Sequence, residues 1–273
     1  KFAEAGNLYR GSKPVMWSPV EETALAEAEV EYEDITSTQI DVAFEITESP
    51  IPELVGAHAV IWTTTPWTIP VNQALAYGPE VEYSELVVWP AELPLEKMSR
   101  QEKLANAAII LVASDLVPAF VERVGVIAVV QRTYKGSDLA GTVARHPMHH
   151  LGGFYAKPRP FLPGDFVTTD SGTGLVHMSP DHGEDDFLLC RANGLEPVFA
   201  VMADGRYRDD WEWLGAGDLD ENGKERRRSV INKPFNSPEG PICSDLREAG
   251  ALLSARDDYQ HSYPHSWRSK AKV

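Results

Sequence analysis

The feature that most limits what this chain can fold into is its punctuation. From about Phe44 onward, short β-prone runs alternate with proline and glycine, 20 of each among 273 residues. The runs are "HAVIWTTT", "QALAYG", "EYSELVVW", "AAIILVA", "GVIAVVQRTY" and "FVTTDSGTGLVHM". Each is rich in β-branched or aromatic residues. Proline cannot donate to a ladder and glycine weakens a strand interior, so the breaks between runs read as turns. Helical patterns are fewer. "SDLVPAFVERVG" offers Ser114 and Asp115 as N-caps and Gly125 as terminator, and "GEDDFLLCRANG" has an acidic first turn and stops at Gly194. Another helix-like piece surrounds "CSDLREAGALLS". The expected class is α+β: a β-rich, barrel-like sheet with a few packed helices and extended terminal arms.

Residues 1–45 combine turn signals ("YRGSKP", "WSP") with a helix-prone acidic piece, "VEETALAEAEVEYED", and read as an N-terminal arm. Residues 46–205 read as the core, and 206–273 as a loop-rich region and a second arm ending in "HSYPHSWRSKAKV". No internal repeat or low-complexity tract interrupts them. The longest apolar run, Ala107 to Ala113, is far short of the roughly 20 residues of a membrane span, so no membrane contact is expected. The start has neither a basic n-region nor an apolar h-region, so a signal peptide is not expected, and both ends read as cuts through a longer polypeptide. Cys190 and Cys243 cannot build a disulfide framework, and a reducing cytosol is the simplest compartment.

Lys plus Arg number 25 against 41 Asp plus Glu, a formal charge of −16. Such a surface repels phosphate backbones at long range, which argues against a stand-alone nucleic-acid binder. The one dense basic stretch, "GKERRRS", reads as a solvated loop or helix face.

Two stretches concentrate chemistry. "AVIWTTTPWTIP" sets four threonines between and beside two tryptophans at the end of a β-prone run. "TDSGTGLVHMSPDHGEDDF" carries a glycine turn into a short strand ending at His177, then a loop and a helix start with Glu184, Asp185 and Asp186. Residue types alone admit three readings of the second stretch. The acids cap the helix and favour its dipole; or His177, His182 and an Asp bind a metal, although that spacing matches no common ligand motif; or a histidine and a carboxylate meet at a substrate site. There a carboxylate would hold a cation and a neutral imidazole would orient a hydroxyl or water. No Gly-x-Ser-x-Gly elbow exists and neither cysteine is activated, so hydrolysis would use a positioned water.

Other stretches carry less. "DLDENGKERRRS" has EF-hand-like acids, but Ser229 stands where a bidentate Glu belongs, so it reads as a polar turn. "HPMHH" (His146, His149, His150) reads as loop, and "KMSR" as an exposed helix start.

Taken together, "WTTTPWTIP" and "GTGLVHMSPDHGEDDF" resemble the paired motifs of the editing domain inserted into isoleucyl-tRNA synthetases, connective peptide 1. The resemblance covers essentially the whole chain, with "LYRGSKPVMWSPVEETALAEAEVEYED" leading into the insertion and "HSYPHSWRSK" leading out. Valyl and leucyl relatives carry a Thr-Thr-Arg-Pro type segment, and Trp67 after "TTTP" points to the isoleucyl branch. Members often bind zinc through cysteines in the arms, whereas this chain has Ser18, Ser266 and Ser269 there, and hydroxyls are poor zinc ligands.

The resemblance implies post-transfer editing. A pocket that accepts isoleucine rejects valine by only ~1–3 kcal/mol, a limit for which this very family is the standard illustration. A second, smaller pocket then hydrolyses valine from the tRNA. On that pattern Asp186 would pair with the α-ammonium of the valine. His177 would line the amino-acid pocket, exclude isoleucine and orient a ribose hydroxyl. Thr63, Thr64, Thr65 and Thr68 would contact the ester, the terminal adenosine or the water. Trp62 and Trp67 would wall the pocket, with plain core packing the other reading of both, and Gly174 and Asp185 would complete the substrate-binding set. The implied partners are the acceptor end of tRNA(Ile) carrying valine and the catalytic domain of the parent synthetase. No metal or other cofactor is implied for editing, and ATP belongs only to the catalytic domain, whose nucleotide-binding signatures are absent from this chain. The implied location is cytoplasmic. A valyl-type editing domain, a metal-dependent hydrolase using His177, His182 and Asp185, and a non-catalytic domain that only positions the tRNA end are the competing readings.

Overall fold

The computed structural model describes residues 1–8, 11–215 and 229–273. The basic stretch and the EF-hand-like turn lie outside the described residues, Ser229 excepted.

Two short strands, β1 (Trp17–Ser18) and β2 (Thr23–Ala24), pair as a hairpin in the N-terminal arm. The core is one mixed sheet of ten strands. In chain order these are β3 (Val30–Glu48), β4 (His58–Thr63), β5 (Ala74–Tyr77), β6 (Glu82–Pro90), β7 (Ala108–Ala113), β8 (Val126–Lys135), β9 (Val143–Arg145), β10 (Pro158–Pro163), β11 (Leu175–Met178) and β12 (Leu252–Ser266). Neighbours run β11-β5-β10-β9-β3-β4-β7-β6-β8, and β12 also pairs with β3. β4 with β7 and β5 with β10 are parallel pairs; the other ladders are antiparallel. The helices are α1 (Arg100–Ala105), α2 (Val117–Val124), α3 (Glu184–Ala192), α4 (Lys233–Asn236) and α5 (Pro241–Glu248).

The β-rich expectation holds, with one difference. Among the described residues no ladder joins the end strands β11 and β8, so the sheet is not a closed barrel; Ala113 N–H at the end of β7 donates to the carbonyl of Thr173, just ahead of β11, 2.8 Å away.

The arms differ more from expectation. β3 runs through a boundary drawn at residue 45, and Ile40, Val42 and Phe44 are fully buried in the core. The acidic piece expected to be helical holds only β2, a single 3₁₀ turn (Glu27–Glu29) and the start of β3. Its helix propensity is overridden because Val30 to Val42 pairs with Ser266 back to Leu252, satisfying the backbone across two segments of the chain. The tail expected as a loose arm therefore supplies the second strand of a long ribbon. Its end is clasped to the N-terminal arm: Ser18 Oγ donates to one oxygen of Glu21, and Ser266 Oγ donates to the other at 3.1 Å. The loop-rich C-terminal region also adds Tyr207, Trp213, Phe235, Ile242 and Leu246 to the core, and a boundary at 205/206 falls inside the turn that bridges Val201 to Tyr207.

Local signals are read well where they are self-contained. α2 ends at Gly125, whose φ of 75° is the left-handed conformation glycine adopts without strain. Ser114 and Asp115 form a 3₁₀ turn ahead of it rather than its cap. Ser99 of "KMSR" opens α1 with a reciprocal capping box to Glu102.

Candidate active site

The site begins where β4 runs out. Thr63 is its last residue, and Pro66 opens a 3₁₀ turn, Pro66–Val71, which re-aims the chain across the sheet end. Its donor-free nitrogen and fixed φ suit proline to that first helical position. Thr65 N–H donates to Thr63 Oγ1 at 3.1 Å, and the two hydroxyls lie 3.1 Å apart. Thr68 Oγ1 donates to the carbonyl of Thr65 at 2.9 Å.

The second stretch meets the first through β11. His177 pairs in register with Leu75 of β5, and its Nε2 lies 3.0 Å from Thr68 Oγ1. Ser179 joins the parts: its Oγ donates to the carbonyl of Thr68 at 2.9 Å, and its N–H donates to Asp186 Oδ2 at 2.7 Å. Asp186 reaches that N–H from the first turn of α3 because Gly183 gives it room; a Cβ on Gly183 would lie 2.9 Å from the Asp186 carboxyl carbon. Thr63, Thr68, His177 and Asp186 thus belong to one hydrogen-bonded chain.

Burial sets the electrostatics. It pushes the Asp186 carboxyl up to about 6, the Ser179 N–H opposing. Among the described residues no lysine or arginine makes an ion pair with it. Burial also takes His177 down to about 4 and His182 to about 3, so both rings are neutral at pH 7. His177 Nδ1 and His182 Nε2 are buried without hydrogen-bond partners. Such orphans are uncommon in folded proteins and mark places where a donor or acceptor from outside would be welcome.

Beside this chain lies a cavity of about 740 Å³, lined by Thr64, Thr65, Trp67, Thr68, Asp181 and His182 at one end. It extends under the N-terminal arm to Trp17, Phe199, Met202 and Tyr263, with Lys13, Lys233 and Lys272 also on its walls. Its size suits a ligand of drug-like or nucleoside dimensions. Trp67 stacks edge-on against His182 with ring centres 4.5 Å apart, and its carbonyl accepts from the Tyr207 hydroxyl.

Of the expected residues, Thr64, Thr65, Trp67 and Thr68 line this cavity, while Thr63, His177 and Asp186 stand behind that wall, joined to it by the hydrogen bonds above. Trp62 stacks edge-on against Tyr259 of β12 at 5.0 Å, and its Nε1 donates to Gln39 Oε1 at 2.9 Å. It is a brace between strands, not a wall of the cavity. Gly174 is backbone scaffold: its carbonyl accepts from Tyr83, and its φ of 73° and contact with Ala113 leave no room for a side chain. Asp185 points to solvent at the helix start and acts on the site only by raising Asp186. His146, read as loop, is fully buried and packs beside Phe44 and Tyr155.

Three contributors were not anticipated. Ser179 is the junction described above. Asp181 accepts the N–H groups of Val198 and Phe199, shaping the cavity rim. Arg123 of α2 grips Asp41 with two hydrogen bonds and donates a third to the carbonyl of Gly172, which backs Trp62. A serine inside a proline turn and an arginine on an amphipathic helix give no sequence signal of these roles.

No group of three His, Cys, Asp or Glu among the described residues is placed to hold a metal. The arm serines converge on Glu21, whose carboxyl Ser18, Ser269 and Ser266 hold below the usual range. Three hydroxyls donating to one carboxylate are satisfied without a cation, and this donor set does not fit zinc.

The family model for class I tRNA synthetases (I, L, M and V) matches residues 1–247. Among curated proteins, the isoleucine–tRNA ligase of Zymomonas mobilis is 54% identical over 100% of this chain and 26% of its own length. That of Gluconobacter oxydans is 48% identical, again over 100% of this chain and 27% of its own length. The chain thus spans about a quarter of the curated relatives it matches. Among solved structures, the cytosolic leucyl-tRNA synthetase editing domain of P. knowlesi is similar over 58% of this chain and 64% of that one, at 12% identity and a TM-score of 0.46. With the matched model covering most of its residues, this chain belongs to the class I tRNA synthetases, and it aligns throughout with a segment of the isoleucine enzymes.

Proposed function

We propose that the chain hydrolyses the ester of valine mischarged on tRNA(Ile), acting as the post-transfer editing domain of an isoleucyl-tRNA synthetase. The observation that carries this reading is Asp186: a carboxylate with its pKa raised by burial, lacking a cationic partner among the described residues, at the end of a hydrogen-bonded chain that runs to the cavity. A half-buried carboxylate without a counter-charge is costly, and an α-ammonium brought to it from the cavity side would supply that charge. The threonine hydroxyls at the cavity offer both donors and acceptors to an ester and a ribose.

The reaction balances without an enzyme nucleophile. Water oxygen adds to the ester carbonyl carbon, the bond to the ribose oxygen breaks, and the proton lost by water ends on the departing hydroxyl. Isoleucine is excluded because its extra methylene overfills a packed pocket, which relaxes poorly. A net charge of −16 leaves most tRNA affinity to the rest of the synthetase, and the cytoplasm is the compartment of action. Hydrolysis proceeds without a metal.

The test is to supply Val-tRNA(Ile) and Ile-tRNA(Ile) to the full-length synthetase and to its Asp186→Ala variant. Rapid hydrolysis of the valyl ester, lost in the variant and insensitive to a chelator, is expected. Equal rates on both esters, or a variant as fast as wild type, would refute the proposal; loss of activity with chelator would favour a metal-dependent hydrolase instead. Binding of a valyl-adenosine analogue with no turnover would favour a purely positioning domain.

A further inference from the structure

The 3₁₀ turn Pro66–Val71 contains a second proline, Pro70. In such a turn a carbonyl accepts from the N–H three places on, as Thr65 does from Thr68 and Ile69 from Asn72, both at 3.0 Å. Pro70 has no N–H, so the Trp67 carbonyl has no partner inside the turn. Its partner comes from far along the chain, where the hydroxyl of Tyr207 donates to it. Tyr207 is fully buried, and its ring lies nearly parallel to that of Phe235 with centres 6.3 Å apart. Burial holds its hydroxyl well above the ordinary range, so it keeps its proton and remains a donor.

Tyr207 also belongs to a second piece of the cavity wall. It bridges back to Val201, and Met202 N–H donates to the carbonyl of Arg206 at 2.7 Å, which closes residues 201–207 into a tight turn. Val201, Met202, Ala203 and Gly205 of that turn line the cavity, as Trp67 and Thr68 of the first turn do. The N-terminal arm rests on the same turn, with Trp17 Nε1 donating to the carbonyl of Ala203 at 2.8 Å. The carbonyls that follow Trp67 are held from elsewhere: Thr68 by Ser179 Oγ at 2.9 Å, Ile69 by His146 Nε2 at 3.1 Å and Pro70 by the Tyr155 hydroxyl at 2.8 Å. Of these four pins, the one from Tyr207 comes from a turn that itself lines the cavity.

We infer that Tyr207 is a positioning residue that sets specificity: its bond to Trp67 ties two stretches of wall together and fixes the width of the cavity at its threonine end. This deepens the editing proposal and rests on it. Valine and isoleucine differ by one methylene, and a packed pocket rejects the larger side chain only as far as its walls resist parting. A hydrogen bond weakens steeply as its geometry tilts, whereas apolar contact is non-directional and lets surfaces slide, so losing the bond loosens the wall without dissolving it. Pro70 separates this role from plain stability. Pro70→Ala returns the missing N–H, which satisfies the Trp67 carbonyl from within its own turn but does not tie that turn to the one carrying Tyr207.

The test compares Tyr207→Phe, Pro70→Ala and the double variant in the full-length synthetase. Two quantities are read: hydrogen exchange of the 66–71 turn, and the ratio of kcat/KM for Val-tRNA(Ile) over Ile-tRNA(Ile) deacylation. Tyr207→Phe removes one buried oxygen, speeds exchange and lowers the ratio about fivefold, chiefly by admitting the isoleucyl ester. The double variant regains protection of the turn, yet its ratio still lies about fivefold below that of Pro70→Ala alone. A folded Tyr207→Phe enzyme with a wild-type ratio overturns the inference. So does a double variant whose ratio matches Pro70→Ala alone, because the hydroxyl then serves only the stability of the turn. If Tyr207→Phe does not fold, the double variant against Pro70→Ala decides by the same criterion. A wild-type enzyme that hydrolyses no valyl ester refutes the editing proposal and this inference with it, whereas an unchanged ratio in an active enzyme overturns this inference alone.

Discussion

Replacing Arg123 with methionine tests how the site is held from behind. Arg123 Nε donates to Asp41 Oδ2 at 2.9 Å, and Nη2 donates to Asp41 Oδ1 at 2.7 Å and to the Gly172 carbonyl at 3.1 Å. The Asp41 side chain is 0% exposed and sits in the middle of β3. Methionine fills the aliphatic volume and leaves that carboxylate buried without its partner, which costs about 3–5 kcal/mol. For a chain of this size each kcal/mol shifts Tm by about 2–4 °C, so Tm falls by about 10 °C. The sign with pH follows from Asp41 itself. Burial holds its carboxyl above the ordinary range even with Arg123 and Arg256 opposing. A folded pKa above the unfolded one means the folded chain binds the proton more tightly, so stability is lost as pH rises and regained as it falls. Without Arg123 the carboxyl climbs further, and the penalty measured at pH 7 shrinks by pH 5. Urea unfolding of both proteins at the two pH values reads this directly, and Asp41→Asn with Arg123→Met recovers most of the loss because no buried charge remains. Because Gly172 backs Trp62, deacylation by the single variant also drops at temperatures where it is folded. A penalty under about 1 kcal/mol, or one that grows toward pH 5, would refute the reasoning.

Three further outcomes follow. Gly174→Ala combines a φ of 73° with a Cβ placed 2.3 Å from that of Ala113, so it destabilises by more than the ~1–2 kcal/mol of the left-handed conformation alone; pairing it with Ala113→Gly relieves the clash but not the backbone cost, as thermal melts will show. Asp186, near 6 when folded and lower when unfolded, makes the apo protein lose stability as pH rises from about 4 to 6, so Asp186→Asn raises Tm at pH 7 while abolishing deacylation. Deacylation should also fall below about pH 6 as that carboxylate protonates, a limb absent from a stability-only role for Asp186.

Much of the molecule is legible in the residues because it is governed by neighbours in sequence. Glycine at 125 ends α2, Ser99 with Glu102 starts α1, the acidic first turn opens α3, and alternating apolar runs become strands. His177 and Asp186 stand out for the same reason: each lies where a strand end or helix start exposes a functional group. The misread pieces are those whose partners are remote. "VEETALAEAEVEYED" looks helical until the ribbon with β12 is formed, and Trp62 looks like a pocket wall until Gln39 and Tyr259 hold it.

The sequence by itself determined the class of fold, the two motifs and the chemistry they carry, since residue type and spacing dictate turns, caps and available functional groups. Only the tertiary structure decided that His177 meets Thr68, that Ser179 couples Asp186 to Thr68, and that Arg123 secures the backing of Trp62. Those properties depend on distances of about 3 Å between residues far apart in the chain, set by how one long strand pairs with another and by how completely water is excluded.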